Sequence, residues 1–216
     1  MSEYTFSVII PAHNEEKYIG KCLQAVKSAA KYVGDAKTEI IVVANRCTDK
    51  TVAIARHYGA KVVINEEKCI AAIRNAGVRE AKGEIIVTID ADSLMTKYSL
   101  REIKFLLDSG NYVGGGTNPK FDRMSVGIAF SSAYVAMNLI PIMMKNGGYL
   151  SGAMFWLYKR DFDAIGGFDE TLVSLEDMDS IIRQGKELGT YMYIYTGGEP
   201  LVHSNILSII DIFCYN

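Results

Sequence analysis

Over the first half of the chain, short apolar blocks alternate with stretches of helical spacing. Residues 6–10 form an apolar block that ends at Pro11-Ala12-His13-Asn14. Tyr18, Ile19, Cys22, Leu23 and Val26 then recur at three- and four-residue steps, which predicts a helix over 15–30. Residues 39–43 and 61–64 read as further strands. Between them lies a loop at Asn45-Arg46-Cys47 and a helix through His57, with Thr48 as its N-cap. A helix is predicted over 69–81, a fourth strand over 83–89, a helix over 97–107, and a fifth strand from Tyr112 into Gly114-Gly115-Gly116.

Strand and helix in alternation, joined by short loops, predict an α/β fold: a Rossmann-like, mostly parallel sheet flanked by helices on both faces. After Gly116 the alternation stops. A long apolar segment follows, then a strand over 153–158, a turn at Gly166-Gly167 and a helix over 178–188. With no repeat, linker or low-complexity tract, residues 1–205 read as one domain. It divides where the alternation stops, into about 1–117 and about 118–205, and 206–216 form an apolar tail.

The strongest chemical signal is Asp90-Ala91-Asp92. It closes the run 83–89, which opens with Gly, lacks Pro and reads as a strand buried on both faces. Parallel α/β sheets bind ligands just beyond the carboxyl ends of such strands. Two carboxylates two residues apart on an extended backbone share a side. Such a pair suits a hard divalent cation, which in turn binds phosphate oxygens. His13, Asn14 and Glu15 after strand one, and Asn45, Arg46 and Asp49 after strand two, converge on the same edge. A nucleotide site needs that convergence. Plain loop and cap chemistry explains Asn45, Thr48 and Asp49 equally well.

Composition narrows the field. A net charge of −2 gives no electrostatic case for nucleic acid. The four cysteines, Cys22, Cys47, Cys69 and Cys214, form no C-x-x-C pair, so a reducing, cytoplasmic setting is the simplest fit. The amino terminus carries no basic flank followed by an apolar signal core. Residues 126–144 run 19 positions without a charge, long enough to span a bilayer. Gly127, Ser131, Ser132, Asn138 and Pro141 within it favour a buried or surface-docked helix, so membrane contact is expected to be peripheral, at the inner face. The first strand lacks a G-x-G-x-x-G continuation, and the chain has no P-loop and no G-x-S-x-G elbow. Glu176-Asp177-Met178-Asp179 opens a predicted helix and serves either as N-terminal capping or as a general base.

Seven segments together carry a family resemblance: SVIIPAHNEE, VVANRCTDKT, AAIRNAG, IDADS, SGAMFW, AIGGFDE and LEDMD. In this order they resemble family 2 glycosyltransferases of the GT-A fold, over residues 6 to about 203. The resemblance implies that Pro11, His13 and Glu15 form a first nucleotide-binding loop and that Asn45 and Asp49 form a second, which holds the base. Arg74 and Asn75 would lie near the nucleotide. Asp90 and Asp92 would be the D-x-D pair, with Asp92 on a Mn2+ or Mg2+ ion. Asp177 would be the catalytic base, and His203 a late histidine that reaches the metal or diphosphate.

Two departures stand out. The common second loop, D-D-G-S, is here Ala44-Asn45-Arg46-Cys47, so the usual base-reading carboxylates are absent. Ile182-Arg183-Gln184-Gly185 does not extend to the Q-x-x-R-W of processive synthases, which favours single addition. The implied reaction is metal-dependent, inverting transfer of a sugar from a nucleoside diphosphate sugar to a hydroxyl acceptor, either a saccharide or a lipid-linked one. A sugar-phosphate nucleotidyltransferase would differ by releasing pyrophosphate from a nucleoside triphosphate. A catalytically silent nucleotide-sugar binding module would differ by showing no donor hydrolysis.

Overall fold

The computed structural model describes residues 4–34, 36–117, 151–168 and 170. Six strands form one sheet in the order β3-β2-β1-β4-β6-β5. They are β1 (Tyr4–Ala12), β2 (Thr38–Asn45), β3 (Lys61–Asn65), β4 (Gly83–Ile89), β5 (Gly114–Thr117) and β6 (Ser151–Tyr158). The helices are α1 (Ile19–Tyr32), α2 (Thr51–His57), α3 (Ile70–Arg79), α4 (Ser99–Asp108) and α5 (Lys159–Ala164). β1 pairs in parallel with β2 and with β4, and β2 with β3. β6 runs antiparallel between β4 and β5. This reversal is where the sequence alternation stopped.

The central strands are buried on both faces, as their unbroken apolar runs require. Phe6, Val8 and Ile10 of β1 pack with Val42, Ile85, Val87 and Ile89 beneath α1 and α4. Ile9, Ile41, Val43 and Ile86 point the other way, into a second core with α3, Phe155, Phe162 and Phe168. The side-chain period of two thus divides each strand between two cores. Gly77 lets α3 sit close to the sheet. A Cβ there would run into Ile9 Cγ2 and lie 2.9 Å from Val43 Cγ2. Gly114 and Gly115 of β5 have a similar cause, since a Cβ on Gly115 would enter the Trp156 ring and one on Gly114 would lie 2.8 Å from the Trp156 carbonyl.

Helix α1 begins at Ile19, four residues later than its periodicity suggests. Residues 15–18 form a turn, and the N–H groups of Glu15 and Glu16 reach across the sheet edge. They donate to Thr51 Oγ1 (2.8 Å) and Asp49 Oδ2 (2.9 Å). Among the described residues, no helix is long and apolar enough to cross a membrane. The segment 126–144, the predicted helix over 178–188 and the tail lie outside the described residues.

Candidate active site

The carboxyl ends of β1, β2 and β4 open into a cleft of about 250 Å3. β1 contributes Pro11 and, just beyond, His13 and Glu15. β2 contributes Asn45, and the end of β4 contributes Asp90 and Asp92. Six residues from three separated segments, all expected at a nucleotide site, therefore meet in one place. Ile70 and Ile73 of α3 add an apolar wall. Periodicity marks them as core, and nothing in their spacing distinguishes a cleft wall from the interior.

The loops after β1 and β2 are braced against each other. His13 Nδ1 donates to the Asn45 carbonyl at 2.7 Å. Asn14 holds a left-handed backbone (φ 56°), and its Oδ1 accepts from the Thr48 N–H at 2.8 Å. Arg46 also holds positive φ, 46°, a region that glycine enters without strain. Its Nε donates to Asn45 Oδ1 at 3.0 Å. Asn45 Nδ2 donates to the Asn65 carbonyl, Asn65 Oδ1 and the Glu67 carbonyl at 2.7–3.1 Å. Asn45 lines the cleft, but its amide hydrogens are committed to the loop after β3.

The cleft is acidic. Burial pushes the Asp90 carboxyl up to about 6, against the pull of Arg74 and with the Asp92 and Glu15 carboxylates adding to the rise. Burial likewise raises Glu15, helped by Asp92 and Asp49 and opposed by His13. Arg74 supplies the compensating charge beside Asp90. Its Nη2 lies 3.7 Å from Asp90 Oδ1, and its side chain is 9% exposed. The guanidinium carbon stands 5.5 Å from the Phe155 ring centre and 5.9 Å from that of Phe168.

This donor set suits a hard cation, because carboxylate oxygens that repel one another are relieved by a divalent ion. Among the described residues, no group of three or more His, Cys, Asp or Glu side chains forms a metal cage. Asp90 and Asp92 are two of the carboxylates at this edge, fewer than a full cage.

The amino acids that build this cleft fall within a longer match. Residues 7–168 match the description of glycosyl transferase family 2. The chain belongs to that family. Probable glycosyltransferase YdaM of Bacillus subtilis is 27% identical over 195 residues, covering 82% of this chain and 46% of that protein. Glycosyltransferase AglE of Haloferax volcanii is 36% identical over 92 residues, covering 40% of this chain and 30% of that protein.

Among solved structures, glucosyl-3-phosphoglycerate synthase from Mycobacterium tuberculosis with Mn2+, uridine diphosphate and phosphoglyceric acid superposes with a TM-score of 0.65. Identity is 19%, and the match covers 99% of this chain and 79% of that one. TarS 1-349 of S. aureus in complex with UDP-GlcNAc gives a TM-score of 0.59 at 22% identity, covering 94% and 61%. These likenesses establish the GT-A fold. The chain spans less than half the length of these two curated relatives.

Within this family 2 chain, three of the expected site residues do not line the cleft: Arg74 meets it only through Asp90, and Asp49 and Asn75 have other partners. Asp49 accepts from the Thr51 N–H (2.9 Å) and the Glu16 N–H (2.9 Å). Burial acts to raise its carboxyl, but the hydrogen bonds from Thr51 and Glu16 hold it below the usual range. Asn75 is buried against the turn after α5, where Nδ2 donates to the Phe168 carbonyl at 2.9 Å. Asp177 and His203 lie outside the described residues. Residues that sequence reasoning missed are Thr51, which anchors the Glu15 backbone, and Phe155 and Phe168, which flank Arg74. Phe155 and Phe168 fall inside recognised motifs, but no sequence spacing links them to Arg74.

Proposed function

We propose that this chain is the catalytic domain of a metal-dependent, inverting glycosyltransferase. Its donor is a nucleoside diphosphate sugar, its acceptor a hydroxyl on a saccharide or lipid-linked molecule, and its setting cytoplasmic, with peripheral contact at the inner membrane face. The observation that carries the reading is the meeting of Asp90 and Asp92 with His13, Glu15 and Asn45 in one acidic cleft at the sheet's carboxyl edge. Uridine diphosphate is the favoured nucleotide because the similar solved structures named above hold it or its sugar.

Pro11, His13 and the braced loop at Asn45 would bind the nucleoside portion, and Arg74 would face the diphosphate side through Asp90. A Mn2+ or Mg2+ ion, held on Asp92 with Asp90 and with His203 as a further ligand, supplies charge neutralisation for the diphosphate when bound. Asp177 takes the acceptor proton as the acceptor oxygen forms its bond to the anomeric carbon. The bond from that carbon to the diphosphate oxygen breaks in the same step, the nucleoside diphosphate leaves, and the configuration inverts. Proton removal in the transition state is worth roughly 10²–10⁴-fold.

Thermal-shift titration with nucleoside diphosphates and Mn2+ or Mg2+ tests the donor and metal together. Uridine diphosphate with metal should raise the melting temperature of the wild type, while Asp92→Asn should keep its fold and lose the metal-dependent part. Asp177→Asn should bind the donor normally and lose transfer. Wild-type transfer by Asp177→Asn would remove it as base, and an unchanged metal response in Asp92→Asn would remove Asp92 as ligand.

A further inference from the structure

Asn75 and Arg74 are neighbours on α3, yet they serve different surfaces. Asn75 makes a two-point contact with one residue of the turn after α5. Its Nδ2 donates to the Phe168 carbonyl (2.9 Å), and the Phe168 N–H donates to its Oδ1 (3.0 Å). The second Nδ2 hydrogen is used as well, on Glu170 Oε1 at 2.8 Å. An amide has two such hydrogens, so Asn75 has no donor left for a ligand.

The turn is shaped to receive this clasp. Gly166 and Gly167 hold φ of 80° and 83°, and a Cβ on Gly167 would stand 3.0 Å from Asn75 Oδ1. Phe168 is thereby set edge-on to Phe155 and Phe162, with ring centres at 5.3 and 5.0 Å. Its ring is one of the two that flank the Arg74 guanidinium. A continuous line of contact therefore runs from the Asn75 amide through Phe168 to Arg74 and on to Asp90 in the cleft.

We propose that Asn75 is a positioning residue: by clasping Phe168 it fixes the Arg74 guanidinium against Asp90, and so tunes diphosphate binding in the cleft without touching the ligand. This rests on the nucleotide reading of the cleft given above. A long, flexible arginine side chain has many rotamers, and packing against the Phe155 and Phe168 rings reduces that number. Releasing Phe168 loosens that packing and lets the guanidinium leave the carboxylate.

The test is a double-mutant cycle on the full chain, with calorimetric affinity for uridine diphosphate plus Mn2+ as readout. Asn75→Ala should weaken binding roughly 5–30-fold in the wild-type background. It should change binding less than about twofold in an Arg74→Met background, because the group through which it acts is gone. A direct ligand contact predicts the same loss in both backgrounds. A merely structural role predicts a lower melting temperature with unchanged affinity, and either result overturns the proposal. If Asn75→Ala fails to fold, Phe168→Leu takes its place in the cycle with the same expectation. Failure of the wild type to bind any nucleoside diphosphate counts against the nucleotide reading instead. The cycle is then read on urea unfolding without ligand, where additive effects of Asn75→Ala and Arg74→Met overturn the clasp whatever the cleft binds.

Discussion

His13 Nδ1 lies 2.7 Å from the Asn45 carbonyl oxygen, joining the loops that leave β1 and β2. A carbonyl oxygen only accepts, so Nδ1 carries hydrogen in either charge state of the ring. The remaining ring atom, Nε2, is then an acceptor in the neutral ring and a donor in the cation. Long-range 1H–15N spectra of the neutral ring should therefore show the Nδ1-protonated tautomer. The more common Nε2-protonated form would mean that the brace between the two loops is not made in solution.

Asn45 is 2% exposed, and its amide hydrogens go to the Asn65 and Glu67 carbonyls and to Asn65 Oδ1. Asn45→Ala leaves those acceptors without their partner and should destabilise the fold by about 1–3 kcal/mol. Asn45→Asp should be at least as damaging, because a carboxylate places oxygen against oxygen. Urea unfolding of both variants checks this. Full stability combined with lost nucleotide affinity would return Asn45 to direct base recognition.

The contrast between Asn45 and Asp90 shows what the sequence could and could not disclose. The strand ending at Asp90 was legible because a run buried on both faces leaves an unbroken apolar signature, and the acidic pair follows it directly. The convergence of β1, β2 and β4 on one edge followed from the alternation of strand and helix. Partner choice was not legible, because it is set by contacts across 20 to 93 positions of sequence, as in Asn45 with Asn65 and Asn75 with Phe168. The exact start of α1 was not legible either: residues 15–18 have helical spacing but form a turn, in which the Tyr18 and Ile19 N–H groups both donate to the Glu15 carbonyl. The antiparallel β6 was readable as a strand but not in its direction, which no local pattern encodes.

Gly77 offers a packing test that leaves the cleft chemistry alone. Alanine is the better helix former by about 1 kcal/mol, so helix propensity alone predicts stabilisation. The added Cβ would meet Ile9 and Val43 of the buried strands, where the side chains have little room to retreat. Overpacking of this kind typically costs about 1–3 kcal/mol and outweighs the propensity gain. Gly77→Ala should lower the melting temperature. An increase would mean that α3 stands farther from the sheet than the structure shows.

Asp90 links stability to pH in a direction opposite to that of an ordinary paired carboxylate. Burial pushes its carboxyl from the usual 3.8 up to about 6, despite the nearby Arg74. Between those values the folded chain holds a proton that the unfolded chain has released. Stability of the ligand-free protein from this group is therefore greatest below about 3.8 and declines as pH rises toward about 6. Glu15 is raised as well and acts in the same direction. Asparagine resembles the neutral form at every pH, so Asp90→Asn avoids the penalty of ionisation in the cleft. Without divalent cations, the variant should melt at or above the wild type at pH 7.5, and the gap should close below pH 4. Added Mn2+ should raise the wild type more than the variant, since only the wild type keeps both carboxylates of the Asp90–Asp92 pair. A melting series from about pH 3 to 8, with and without Mn2+, decides the matter. A variant that melts well below the wild type at pH 7.5 without metal would show that the Arg74 ion pair outweighs burial at Asp90.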